Sequence, residues 1–343
     1  MRLLIDYHHS DLFESHYLLL PDAEIWRPIG MEWFDSGIWN FEREYHGDAV
    51  ARQYLQLWDS DTEVAQGIYE REDATHPGRT MQMIDLDTAY DMEFDAVISS
   101  LPANDVGMKG FADRVGAKFG VHIGNEAQQS NWGIADFGLV SSILNYTPRV
   151  PHVIYHQPFD LDIFRHEWPP AEPRSIASFI QCFAENKVPY AQFLELARLM
   201  PQFDWRVYGA YGSHDEDEFA CGNLSPVSEV ADKMRASRVI WHSKAWSDGY
   251  GHIIHNAFAV GRPVMGNAAY YKGKLAEPLW VEGETSFDIN GKSDIEIAVI
   301  LARLISDDDY HRTMSINAAA RFREVVDFEG EREQVREMLE SVL

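Results

Sequence analysis

Cysteine is almost missing from this 343-residue sequence; Cys182 and Cys221 allow at most one disulfide. Both thiols are expected to be free, as in a reducing cytoplasm. Basic charge is also short. Lys and Arg number 29 against 55 Asp and Glu, the net charge is −26, and no four basic residues are consecutive. Such a balance repels nucleic acid and anionic membrane at long range, so a polyanion has to be met by a local basic strip. No apolar run reaches the roughly 18 residues of a membrane span. The start, MRLLIDYHH, has neither a long apolar stretch nor a small-residue cleavage site, so no secretory leader is expected. Gly-x-x-x-x-Gly-Lys-Ser/Thr and Gly-x-Ser-x-Gly are both absent, and with them a P-loop and a nucleophile elbow.

What is present is alternation. Apolar residues make up 45% of the chain, enough to build cores. Short apolar runs, the strand candidates, fall at residues 2–5, 24–27, 94–99, 120–123 and 149–155. A helix is expected at 10–20 and another around 109–119. The three prolines of HEWPPAEPRS (166–175) read as a connector. Alternation then restarts, with strands at 176–180, 205–208, 238–242 and 263–265, and helices at 189–200, 227–236, 294–306, 310–326 and 331–343. This order implies an α/β chain of parallel sheets covered by helices on both faces. Two doubly wound, Rossmann-like domains are expected, at 1–153 and 154–326, with a last helix at 327–343 crossing back to the first. Ligands in such folds bind at the carboxyl ends of the strands, here in a cleft between the sheets.

SDGYGHIIHNAFAVGRPV (247–264) has the shape of a buried helix with unhelpful residues in it. Two glycines and an aspartate stand at its head. His255 and Asn256 interrupt an apolar face of Ile253, Ile254, Ala257 and Val260, and Gly-Arg-Pro ends it. Gly249 and Gly251 sit where the strand VIWHS hands over to a helix N-terminus. Free N–H groups and the positive end of the helix dipole suit a diphosphate there, and glycine lets a ligand approach closely. An ordinary N-cap and helix stop would use some of the same residues.

This stretch resembles the donor signature of GT-B glycosyltransferases of the retaining, glycogen-synthase-like group. The matching residues are Asp248, Gly249, Tyr250, Gly251, Asn256, Ala257, Ala259, Gly261, Pro263 and Val264, at the family's spacing. Two glutamates of the pattern are replaced, by Asp248 and Asn256. YHQPFDLDIF (155–164), RASRVIWHSKAWSDGYG, VEGETSFDIN (281–290) and the closing helices extend the likeness over roughly residues 150–343. The resemblance implies a GT-B fold and a nucleotide-sugar donor. Asp248 would hold the donor sugar, and Asn256 the ribose hydroxyls, which an amide can still do. The donor-binding set is Gly249, Tyr250, Gly251, Asn256, Lys187, His242 and Ser243. Lys187 stands where the family has a lysine for the diphosphate, but Gln181 and Cys182 stand where it has Gly-Arg. Lys244 and Arg262 are the possible substitutes. His122, in GVHIGNEAQ, fits the family's histidine at a strand end beside the donor sugar, so Asp248 and His122 form the expected catalytic set.

His8, His9 and Asp11 follow the first strand and are expected to line the acceptor cleft. No ligand spacing accompanies these histidines, so no metal is expected. The pairs Asp85/Asp87 and Asp160/Asp162 match Asp-x-Asp by chance in an acidic chain. No cofactor beyond the donor substrate is implied, nor any membrane partner, and a cytoplasmic location is expected. The N-terminal half is similar to bacteriophage-encoded glycosyltransferases, some of which modify hydroxymethylated pyrimidines in DNA. On that reading Trp33, Phe34, Trp39 and Phe41 stack on a flipped base, and Arg27, Arg43 and Arg52 form the basic strip. A protein or glycan acceptor, a non-catalytic nucleotide-sugar-binding protein and an epimerase of the same fold are the alternatives.

Overall fold

The computed structural model describes residues 1–6, 10–29, 33, 67–73, 76–124, 132–142, 148–181, 183–209, 218–245 and 248–343. The chain forms two compact units: Met1–Pro158 together with Phe328–Leu343, and Phe159–Asp327.

The first unit is built on eight strands: β1 (Arg2–Ile5), β2 (Glu24–Pro28), β3 (Ile68–Glu72), β4 (Thr80–Ile84), β5 (Ala96–Ser99), β6 (Lys118–Ile123), β7 (Phe137–Val140) and β8 (His152–Ile154). Their order is β3-β4-β2-β1-β5-β6-β7-β8. β1, β5 and β7 are short apolar runs buried along nearly their whole length, as strands covered on both faces must be. The sheet departs from the expected parallel pattern at one edge, where β3 runs antiparallel to β4. β3 reads IYERE and lies at the rim, where charged side chains are tolerated and discourage further pairing.

Helices α1 (Ser10–Leu19), α2 (Leu86–Tyr90) and α3 (Asp105–Val115) cross between these strands. α3 lies four residues before the expected 109–119. Gly116 adopts a left-handed conformation (φ 76°) and its N–H bonds the Ala112 carbonyl, which ends the helix and lets β6 begin at Lys118. The final helix of the chain, Phe328–Val342, belongs to this unit. It buries Val335, Met338 and Leu339, spaced for one helix face, against Leu3, Ile5 and Leu139. Glu331 fixes its start, accepting from the His156 backbone N–H (2.8 Å) and pairing with His156 Nδ1 (2.6 Å).

The second unit has five parallel strands in the order β10-β9-β11-β12-β13. They are β9 (Glu172–Ser178), β10 (Asp204–Val207), β11 (Ser237–His242), β12 (Val264–Gly266) and β13 (Ser286–Asp288). Helices α4 (Lys187–Leu199), α5 (Val227–Ala236), α6 (His252–Ala259), α7 (Asp294–Ser306) and α8 (Asp308–Val325) accompany them, so the Phe328–Val342 helix is α9. The expected connector at 166–175 is shorter than it looked, because β9 already begins at Glu172. Pro173 is accommodated there by an irregular register against β11 near Ser237. Phe193, Trp205, Trp241 and Leu301 meet in the core, with Phe193 edge-on to Trp205 at 5.0 Å. Among the described residues no helix is long and apolar enough to cross a membrane.

Candidate functional site

The site grows from the carboxyl end of β11. Every residue of that strand is buried, down to His242 at its tip. β12 pairs beside it, and a Cβ on Gly266 would run into the His242 carbonyl oxygen, so only glycine fits. After Ser243, which is also buried, the chain loops to Gly251 and enters α6. Gly251 is left-handed (φ 80°), and its carbonyl accepts from the Ile254 and His255 N–H groups. No side chain caps α6, so its positive end faces the loop without a carboxylate in the capping position. From Ile254 to Ala259 the helix is buried all round, which accounts for its apolar character. His255 stacks face to face on Tyr250, ring centroids 4.0 Å apart. Gly249 lies half-buried in the bend before it.

Asp248 is the hub. Its Oδ2 accepts from His242 Nε2 (2.7 Å) and from the Tyr271 hydroxyl (2.7 Å). Its Oδ1 accepts from Lys244 Nζ, and its backbone carbonyl accepts from Lys274 Nζ. A carboxylate only accepts, so His242 must carry its proton on Nε2, and Nδ1 is then left buried without a partner. Burial alone would raise the Asp248 pKa, but His242 and Lys244 outweigh it and hold the carboxyl well below the usual range. Tyr271 is pushed the other way, by burial and by Asp248 itself, and therefore stays a donor. Asn256, 3% exposed, has an Oδ1 with no hydrogen-bond partner. Asn256 is the fifth residue of α6, little more than one turn from its uncapped end.

A second helix head adjoins the same loop. Asn186, at the start of α4, accepts the Ala245 N–H through its side chain (3.0 Å). Lys187 is the first residue of α4 and is exposed. Asp248, Lys244 and His242 are thus in direct contact, while Lys187 is linked to them through Asn186.

Several expectations need correction. His122 was expected beside a sugar, but it is fully buried near the end of β6. Tyr155 closes over it, hydroxyl to Nε2 at 2.8 Å with the rings stacked, and His16 packs edge-on at 4.7 Å. Burial and the neighbouring His16 hold its pKa well below normal, so it is a neutral interior group in this structure. Arg262 is also enclosed. Its guanidinium donates to the carbonyls of Arg235, Val260, Gly261 and Glu167, which removes it as a diphosphate ligand. Trp33 is a core residue with Nε1 bonded to the Ile84 carbonyl (3.1 Å), and Arg27 is buried, so neither offers itself to a nucleic acid. His8 and His9 lie outside the described residues, as do the Asp11 side chain, Cys182, Phe34, Trp39, Phe41, Arg43 and Arg52.

The Asp-x-Asp pairs have local work. Asp85 caps α2 through Thr88 N–H, and Asp160 closes its own turn by accepting from Asp162 N–H (2.8 Å). Among the described residues one group has the proximity for a cation, Glu14, Asp73 and His76, but the Arg79 guanidinium already pairs with Asp73 and reaches Glu14 at 3.6 Å. Tyr271, Lys274 and Asn186 were not anticipated. Their one available signal is position, in the loops after β12 and β9, strands that flank β11.

No protein-family model matches the chain, and no curated protein matches it in sequence. Solved structures match over nearly its whole length. HepE of Anabaena, solved with UDP and glucose, superposes with a TM-score of 0.65 at 13% identity, covering 99% of this chain and 100% of its own. Sucrose-phosphate synthase of Thermosynechococcus elongatus gives 0.66 at 10% identity, covering 99% and 98%. TarM gives 0.62 at 10% identity, covering 98% of each chain. The chain has the α/β fold of the GT-B glycosyltransferases.

Proposed function

We propose that the chain is a glycosyltransferase that moves a sugar from a nucleoside-diphosphate donor to a hydroxyl acceptor, with the donor held by the second unit. The observation that carries this is the uncapped end of α6, with the Asp248 cluster on one side and the unpaired Asn256 carbonyl on the helix itself. Negative charge develops on the departing diphosphate, and a helix end with nearby lysines stabilises it without a metal. The sugar C1–O bond breaks, its electron pair leaves on the diphosphate, the acceptor oxygen bonds C1, and the departing oxygen takes the acceptor proton. Attack on that same face retains the anomeric configuration. Asp248 holds sugar hydroxyls and Asn256 the ribose. That HepE has been solved with UDP-glucose supports a uridine nucleotide as the first donor to try.

For the acceptor we propose the hydroxymethyl oxygen of a modified pyrimidine in DNA, a primary alcohol that has to be flipped out or reached in the major groove. Trp33 and Arg27 take no part in reaching it, since both are buried. The test is incubation with hydroxymethylcytosine DNA and a panel of nucleotide-sugars, digestion to nucleosides and mass spectrometry. A hexose or pentose adduct is expected. Labelling of a protein or glycan instead overturns the DNA acceptor alone. Isomerised nucleotide-sugar without an acceptor identifies an epimerase, and binding with neither transfer nor hydrolysis identifies a non-catalytic protein.

A further inference from the structure

A nucleoside diphosphate carries more negative charge than the half charge or so of one helix end can balance. The second unit must supply a cation, and its burial pattern narrows the choice. Arg262 is enclosed and spent on carbonyls. Arg235 and Arg238 are buried against Asp232 and Asp308. Lys274 is buried with its ammonium on the Asp248 carbonyl. Lys187 is exposed at the head of α4, and Lys244 is the partly exposed cation that touches the Asp248 carboxylate itself. Its side chain is 24% exposed, it sits between the tip of β11 and the uncapped head of α6, and its ammonium pairs with Asp248 Oδ1. Its neighbour Ala245 is tied to Asn186 at the head of α4, which fixes the main chain at Lys244 between two helix heads, neither capped by a side chain.

We propose that Lys244 is the cation that binds the donor's terminal phosphate, with Asp248 Oδ1 as its resting partner, and this rests on the glycosyltransferase reading. When the donor arrives, Lys244 transfers its hydrogen bond from Asp248 to the phosphate. Asp248 Oδ1 is thereby released to a sugar hydroxyl, while His242 and Tyr271 keep their grip on Oδ2. The exchange explains how a carboxylate already holding three side-chain donors turns one oxygen to a sugar. It also explains how the chain manages with Cys182 where the resemblance implies an arginine. Asn256 Oδ1, buried and unpaired, remains for the nucleoside end of the same ligand.

The experiment uses the full chain. A thermal-shift screen of UDP, GDP, ADP and TDP selects the base, and calorimetry then compares that diphosphate with its monophosphate. Lys244→Met should weaken the diphosphate about tenfold or more, the worth of one charge-assisted hydrogen bond, and leave the monophosphate within about twofold. Lys244→Arg should regain most of the loss. Asp248→Asn should bind the diphosphate as tightly as wild type or tighter, because Lys244 is freed, while hydrolysis of the nucleotide-sugar collapses. Equal weakening of both ligands by Lys244→Met, no weakening of either, or loss of diphosphate affinity in Asp248→Asn overturns the assignment and leaves the glycosyltransferase reading standing. If none of the four diphosphates shifts the melting of the wild type, that reading falls and this one with it.

Discussion

Gly251 joins backbone geometry to the Asp248 cluster, and substituting it separates two kinds of cost. At φ 80° an alanine is strained by about 1–2 kcal/mol. Its Cβ would also lie 2.9 Å from a ring carbon of Tyr271, too close for any real contact. Tyr271 has little room to retreat: it is buried, stacked on Trp280 at 5.3 Å and bonded to Asp248. Overpacking of this kind adds about 1–3 kcal/mol, so Gly251→Ala should cost about 2–5 kcal/mol in all. Gly291 is the control, with φ 74° and nothing within 4 Å of the point where a Cβ would stand, so Gly291→Ala should cost only the strain of about 1–2 kcal/mol. Urea denaturation of the three proteins gives the difference. Donor hydrolysis gives the consequence, because a displaced Tyr271 loosens Asp248 in one variant and not in the other. Equal stability losses, or full hydrolysis by Gly251→Ala, would refute the close approach of Gly251 to Tyr271 as a constraint on the site.

Asp248→Ala should lower turnover by about 100-fold or more, while Asn256→Ala should mainly raise the donor KM, since one residue is assigned to the reacting sugar and the other to the ribose. Near-normal steady-state kinetics in both would reduce the stretch to a helix head and a helix stop. EDTA should leave transfer within about a factor of two, since the helix end and lysines are assigned the charge; complete loss, restored by Mn²⁺, would overturn that assignment. Acid should loosen the first unit through His16, which burial holds at about 4 against an ordinary 6.5. The unfolded chain then binds more protons than the folded one between those values. Stability is therefore full above pH 6.5 and falls toward pH 4, by about 2 kcal/mol at pH 5. His16→Leu should flatten that slope in denaturant titrations at pH 7 and pH 5, and an unchanged slope would count against it.

What the sequence made legible was whatever is contiguous. AVIS and SRVIWH declare themselves as strands because a strand covered on both faces is an unbroken apolar run. TMQMI alternates and FGLV has a glycine inside its apolar run, so neither declares itself as β4 or β7. The same limit governs the site. Asp248, Gly251 and Asn256 fall within nine residues, so their spacing could be read directly. Tyr271, Lys274 and Asn186 reach the loop from other strand ends, through the order β9-β11-β12, and strand order is written in no local pattern. Burial fails for a related reason. His122 stands at a strand end, where a ligand contact is a fair expectation, but Tyr155 and His16 arrive from distant segments and enclose it. Arg262 looks like an exposed helix stop until Arg235 and Glu167 bring their carbonyls around it. Lys244 shows the converse: with no motif of its own, it is set apart from the enclosed Arg262 and from the exposed Lys187 by its contact with the Asp248 carboxylate.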